Sequence, residues 1–271
     1  RQLVIPNSVT SIGSYAFEKC TKLTSATLGT GISSIPDYMF SSCSALTSVV
    51  LPENITGIGK YAFQSTAFTE LPLTASITEI KDYAFKSCTK LTSVAIPDRV
   101  TKLGTYVFQS CTGLESAKIG GGVTSVPNYM FHGCTNLVNV ELSEKVTSIG
   151  NSAFYNCKGL KSLPVTESIT SIGTNAFYGC TSLTSVNLSD KVTSLGASAF
   201  YGCSSLTEAV LGTGITTLGS SLFRNDAKLK KVVANGKIAS VSTYTFNGCS
   251  SLERIYINNT PPTGASSNTF T

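Results

Sequence analysis

Nine cysteines are the first residues in this chain that could do chemistry: Cys20, Cys43, Cys88, Cys111, Cys134, Cys157, Cys180, Cys203 and Cys249. Zinc requires close Cys-x-x-Cys pairs or mixed Cys and His clusters. Here no two cysteines lie nearer than 23 residues, and His132 is the sole histidine. All nine occupy one position of a repeat, so neighbours stack with parallel Cβ directions, a poor geometry for a disulfide. They read as buried free thiols serving as small apolar side chains. His132 stands where other copies carry Glu18, Gln64, Lys86, Tyr155 or Arg224, a variable position expected to be solvated. With carboxylates scattered singly and no second His, neither an acid–base pair nor a nucleophile triad can be assembled. The expectation is a protein that is not an enzyme, with no catalytic residue, metal or cofactor.

Binding residues are better candidates. Tyr15, Tyr38, Tyr61, Tyr83, Tyr106 and Tyr129 form a column two residues before a recurrent Phe, after which Tyr155, Tyr178 and Tyr201 appear one residue after it. Aromatic stripes are enriched at interfaces, and they also cover the flank of a coil. A second candidate set is Lys118, Asn139, Glu141, Glu208, Lys231, Arg254 and Tyr256, at the outward positions of recurrent strand segments. Such positions line up across a side-by-side sheet, where repeat proteins usually bind. Asn54, Asn187 and Asn258 begin glycosylation sequons, which a chain of this composition supplies by chance.

Composition narrows the partners. The chain is 41% hydrophobic and only 13% charged, so its surface is mainly hydroxyl and amide. The formal charge of +5 comes from 20 Lys and Arg against 15 Asp and Glu, with no basic run suited to tracking phosphates. Nucleic acid is not expected as a partner. No run of about eighteen apolar residues is present to span a bilayer. A start at Arg1 without a leader, and ends that fall mid-repeat, read as a mature or excised segment of a longer protein.

The element that must position all of these is a repeat of 23 residues. Leu91, Leu114, Leu137, Leu160, Leu183, Leu206, Leu229 and Leu252 follow one another at that spacing. Leu23 and Leu46 precede them, and a copy one residue short puts Phe68 at the same place. Phe17, Phe40, Phe63, Phe85, Phe108, Phe131, Phe154, Phe177, Phe200, Phe223 and Phe246 form a parallel column, with Phe270 one residue late in the last copy. One such unit cannot bury its own apolar face, whereas stacked units put each Phe against the next.

Within a copy, Ser93 to Ile96 alternates with period two and predicts a strand in a parallel sheet on a concave face. Val100 and Leu103 flank a short second strand. The Phe–Cys spacing of three predicts a helical turn with both side chains inward. Copies starting at Leu23, Leu114 and Leu206 share Gly29, Gly120 and Gly212 where others have Pro, which indicates duplication of a four-repeat block. The predicted fold class is α/β: one right-handed solenoid over residues 1–271, of about twelve copies with the first and last incomplete.

The pattern LTSVNLSDKVTSLGASAFYGC, Leu183 to Cys203, closely resembles the BspA-like leucine-rich-repeat family, and the resemblance spans essentially the whole chain. It implies a leucine-rich-repeat solenoid of the kind found in large surface proteins that adhere to host matrix or other cells. The family supplies no catalytic residues, and its consensus does not encode a ligand site. Departures are local: Thr66 and Asp226 stand at missing Cys positions, and Asn258 to Pro262 replaces the second strand of the last copy. The expected role is a monomeric, cell-surface or secreted module that binds a host or cell-surface protein or glycan. The alternative is a spacer array that displays other domains and has no ligand of its own.

Overall fold

A computed structural model describes residues 1–257. These residues form two compact units, one of Arg1–Val123 with Met130–Glu141, the other of Thr124–Tyr129 with the chain from Leu142 onward. Each unit is a parallel β-solenoid built from successive coils. The expectations for Asn258 to Pro262 and for Phe270 lie outside the described residues.

Long strands fall where the period-two pattern puts them. In Ser93–Ile96 the Val94 and Ile96 side chains are buried while Ser93 and Ala95 face outward. This strand pairs in parallel with Ser116–Ile119, each residue meeting the one 23 positions later. The strands collect into three sheets. The first holds Gln2–Ile5, Ser25–Leu28 and Ser48–Val50, and the second Ser93–Ile96, Ser116–Ile119 and Asn139–Leu142. The third holds Ser185–Asn187, Glu208–Leu211, Lys231–Ala234 and Arg254–Ile257.

The interruptions between sheets have a local cause. In the copies starting at Phe68 and Leu160, Pro72 and Pro164 occupy the place of Ala95, and neither segment forms a strand. Proline has no N–H to give to a ladder and is excluded from central strands. The two prolines are 92 residues apart, the same distance that separates Leu114 from Leu206.

A second row of two-residue strands, such as Ser34–Ile35, Gly57–Ile58 and Glu79–Ile80, buries Ile35, Ile58 and Ile80. The register there steps by 22 between Ile58 and Ile80, because the short copy lacks one residue. The chain recovers the common register by Phe68, which fills the Leu position and meets Phe63 edge-on at 5.3 Å.

The predicted helical turn is corrected by the structure. No helix occurs among the described residues, so the fold is all-β where α/β was expected. Around Phe40 the residues Tyr38 and Ser42 have φ of 57° and 61°, in the left-handed region, which a right-handed helical turn cannot accommodate. The N–H groups of Tyr38, Phe40 and Ser42 donate to Lys60, Ala62 and Gln64 of the next coil. Those of Met39, Ser41 and Cys43 donate three residues back. Each backbone donor of the turn is thereby satisfied without a helix, and the turn carries Phe40 and Cys43 inward as expected, both fully buried.

Phe rings form the spine of each core. In the first unit Phe17, Phe40, Phe63, Phe85, Phe108 and Phe131 stack with centroids 5.5–5.8 Å apart. In the second, Phe154, Phe177, Phe200, Phe223 and Phe246 stack at 5.2–5.9 Å. Burying one such ring contributes roughly 1.5–3 kcal/mol.

Candidate functional site

Alternation along the long strands sends every second side chain to the outer face, and the candidate residues lie there in two groups. On the second sheet Lys118 and Glu141 form an ion pair at 3.7 Å, with Asn139 exposed on the same strand as Glu141. On the third sheet Ser185, Glu208, Lys231 and Arg254 follow one another in register. Beside them runs a second row of Asn187, Val210, Val233 and Tyr256.

Charge is partly cancelled within these rows. Lys231 Nζ donates to Glu208 Oε1 over 2.8 Å, both side chains being half-exposed. Among the described residues, Arg254 next to Lys231 makes no ion pair. Exposed Arg254 and Tyr256, which is 50% accessible, therefore form a cationic and aromatic corner beside the apolar Val233.

Tyrosines of the predicted stripe stack as a ladder. Tyr15, Tyr38, Tyr61, Tyr83 and Tyr106 have ring centroids 4.4–4.7 Å apart and nearly parallel planes. Tyr129 belongs to the other unit and is half-buried. A second ladder joins Tyr155, Tyr178 and Tyr201 at 4.4–4.6 Å. Because each inner ring has both faces covered by its neighbours, the ladder offers edges and hydroxyls to a ligand, not flat stacking platforms. Burial, followed by the adjacent phenols, raises the pKa of Tyr61 and Tyr178. The Tyr155 ladder ends on Arg224, whose guanidinium lies 5.8 Å from the Tyr201 ring and 4.9 Å from that of Tyr244.

The nine cysteines are free thiols, and all but Cys20 are buried. They are more than small apolar groups. Cys43, Cys111, Cys134, Cys180, Cys203 and Cys249 each donate to the carbonyl oxygen of the Phe 26 residues earlier, at 2.9–3.3 Å. At the first missing Cys position Thr66 donates to Phe63 O at 2.9 Å and lies 3.3 Å from Cys88 Sγ. At the second, Asp226 is fully buried, and desolvation raises its carboxyl well above the ordinary range. His132 is half-buried, not solvated as its variable position suggested, and burial lowers its pKa. Asn54 of the first sequon is committed to structure, donating to Thr30 O and Ile32 O.

Among the described residues, no group of three or more His, Cys, Asp or Glu could hold a metal ion, and no helix is long and apolar enough to cross a membrane.

Comparison with known proteins places this architecture. The sequence pattern of the BspA type leucine rich repeat region matches six copies, over residues 1–85, 56–184 and 170–271. A leucine-rich repeat protein from Bacteroides ovatus has a crystal structure that superposes with a TM-score of 0.86 at 31% identity. That match covers 93% of this chain and 65% of the other, so the chain spans about two thirds of that relative's length. A leucine rich cell surface protein from Faecalibacterium prausnitzii is 25% identical over 94% of this chain and 80% of its own, with a TM-score of 0.52. The pneumococcal vaccine antigen PcpA shares the fold, at 20% identity and a TM-score of 0.57, over 96% of this chain and 79% of its own. No curated protein matches the chain. Six copies of the repeat pattern spread from end to end, together with the parallel coils they build, make this chain a member of the BspA-type leucine-rich-repeat family.

Proposed function

We propose that the chain is a non-catalytic recognition module of a cell-surface or secreted protein, active as a monomeric array of about twelve repeats, which binds a protein or glycan on the outer face of its long strands. The observation that carries this reading is the corner formed by Arg254 and Tyr256 beside Val233 on the third sheet. A cation and an aromatic ring held on a regular sheet are the residue types that dominate interface energetics. Family membership and the cell-surface description of the Faecalibacterium prausnitzii protein support the location. The test is a screen of the immobilised chain against extracellular matrix proteins and oligosaccharides. Arg254→Ala with Tyr256→Ala is expected to weaken the ligand found by about tenfold or more. Undiminished binding removes this corner as the site.

A spacer without a ligand is the second reading, and one observation favours it. Lys118 with Glu141, and Glu208 with Lys231, satisfy each other across neighbouring strands and behave as solubility devices. A spacer yields no ligand in the same screen.

A further inference from the structure

Pro164 stands 23 residues before Asn187, at the position where the third sheet would gain one more strand. Residues 161–165 form no strand, and among the described residues Ser185–Asn187 is the edge of its sheet, paired with Glu208–Leu211 alone. Between this segment and the strand edge lies an open cavity of about 330 Å³, within the range of small-molecule sites, roughly 300–1,000 Å³.

Its polar lining is Ser162, Thr166, Glu167, Ser185, Asn187 and Ser189, and Leu163 with Val165 supplies an apolar wall. Ser189 Oγ is shielded from solvent yet has no hydrogen-bond partner among the described residues, a state that buried hydroxyls avoid. The side chains of Ser162, Glu167, Ser185 and Asn187 also make no hydrogen bond to the rest of the described protein. The corresponding break at Pro72 is different: the counterparts of Glu167, Asn187 and Ser189 are Ala75, Ala95 and Pro97, while the Thr and Ser that follow the proline are hydrogen-bonded in both breaks, Thr74 with Ser76 at one and Ser168 with Thr166 and Glu144 at the other. Duplicated breaks have thus diverged, and only the one at Pro164 carries a carboxylate, an amide and a hydroxyl at these three positions.

No Lys or Arg lines the cavity, so nothing there would hold a phosphate, sulfate or carboxylate. One carboxylate, one amide and several hydroxyls, facing an apolar wall, form a set of mixed donors and acceptors. We propose that this cavity is a saccharide subsite that takes one neutral pyranose unit of a glycan. Glu167 and Asn187 receive its hydroxyls, Ser189 Oγ completes the set, and the C–H face of the sugar ring rests on Leu163 and Val165. The proposal rests on the recognition reading and assigns it a ligand class at a place apart from the Arg254 corner.

The test uses the full chain on an array of neutral, sialylated and sulfated oligosaccharides, followed by saturation-transfer NMR titration of the strongest neutral one. Variants are Asn187→Ala, Glu167→Gln and Pro164→Val, the last restoring the backbone donor that lets residues 162–165 pair and close the cavity. Arg254→Ala is the control for the other surface, and near-ultraviolet circular dichroism checks folding. Neutral glycans are expected to bind, with affinity falling about tenfold or more in each cavity variant and holding steady in Arg254→Ala. Should Pro164→Val misfold, the two side-chain variants decide. Absence of neutral-glycan binding, equal binding by the cavity variants, or a preference for acidic glycans overturns the subsite. In any of these cases a ligand lost on Arg254→Ala leaves the recognition reading standing, and an array and matrix screen without any ligand removes both.

Discussion

Cys134 Sγ donates to the carbonyl oxygen of Phe108 at 3.1 Å, tying a thiol of one coil to the backbone of the coil before it. Burial pushes the Cys134 pKa up to about 12, and those of Cys43 and Cys88 to about 11. Thiolate is the form that reacts with alkylating agents, so buried thiols at mildly alkaline pH are protected twice, by exclusion and by protonation. Iodoacetamide under native conditions is therefore expected to label Cys20 rapidly, and the remaining eight only after unfolding. Mass spectrometry of intact protein counts the adducts. Fast labelling of most sites, or recovery of cross-linked pairs, would contradict the donor arrangement.

Phe108 sits between Phe85 at 5.8 Å and Phe131 at 5.7 Å and is fully buried. Replacing it with Ala removes a ring that touches both neighbours and leaves a cavity that the flanking coils cannot both fill. Chemical denaturation should show a loss of about 3–5 kcal/mol. The same change at Phe17, which is only half-buried, is expected to cost clearly less. Equal costs at the two positions would mean that stacking depth does not govern stability here.

Asp226 occupies a buried place in the cysteine column, between Cys203 and Cys249 in the copies on either side. Desolvation raises its pKa in the folded chain well above the ordinary 3.8. Folding thus favours the protonated carboxyl. Its contribution is fully present below the ordinary value and is lost as pH rises towards the raised one. Asp226→Cys, which restores the column, should melt higher than the parent, with a gap that widens from about pH 4 to about pH 8. A gap that stays constant or narrows over that range would show that the carboxyl is not held neutral.

Much of this architecture was legible in the amino-acid order. The 23-residue period, the Phe spine, the strand at Ser93–Ile96 and the inward cysteines all follow from apolar side chains recurring in one position of identical coils. Such columns need no knowledge of distant contacts, because the nearest neighbour of each residue is its own equivalent. Other features depended on conformation and register. Tyr38 and Ser42 adopt left-handed backbone, which their residue types do not announce, and this replaced the expected helical turn with a ladder of hydrogen bonds between coils. Placing both partners on adjacent strands paired Lys118 with Glu141 and Glu208 with Lys231, so residues singled out separately for binding largely spend their charge on each other. Pro72 and Pro164 stand in the sequence, but the apolar columns that define the repeat carry no sign of their effect on the sheets. That Glu167 and Asn187 line one cavity while nearby Thr166 and Ser168 are taken up by hydrogen bonds was decided only in three dimensions, by which side chains the neighbouring coil brings within hydrogen-bond reach.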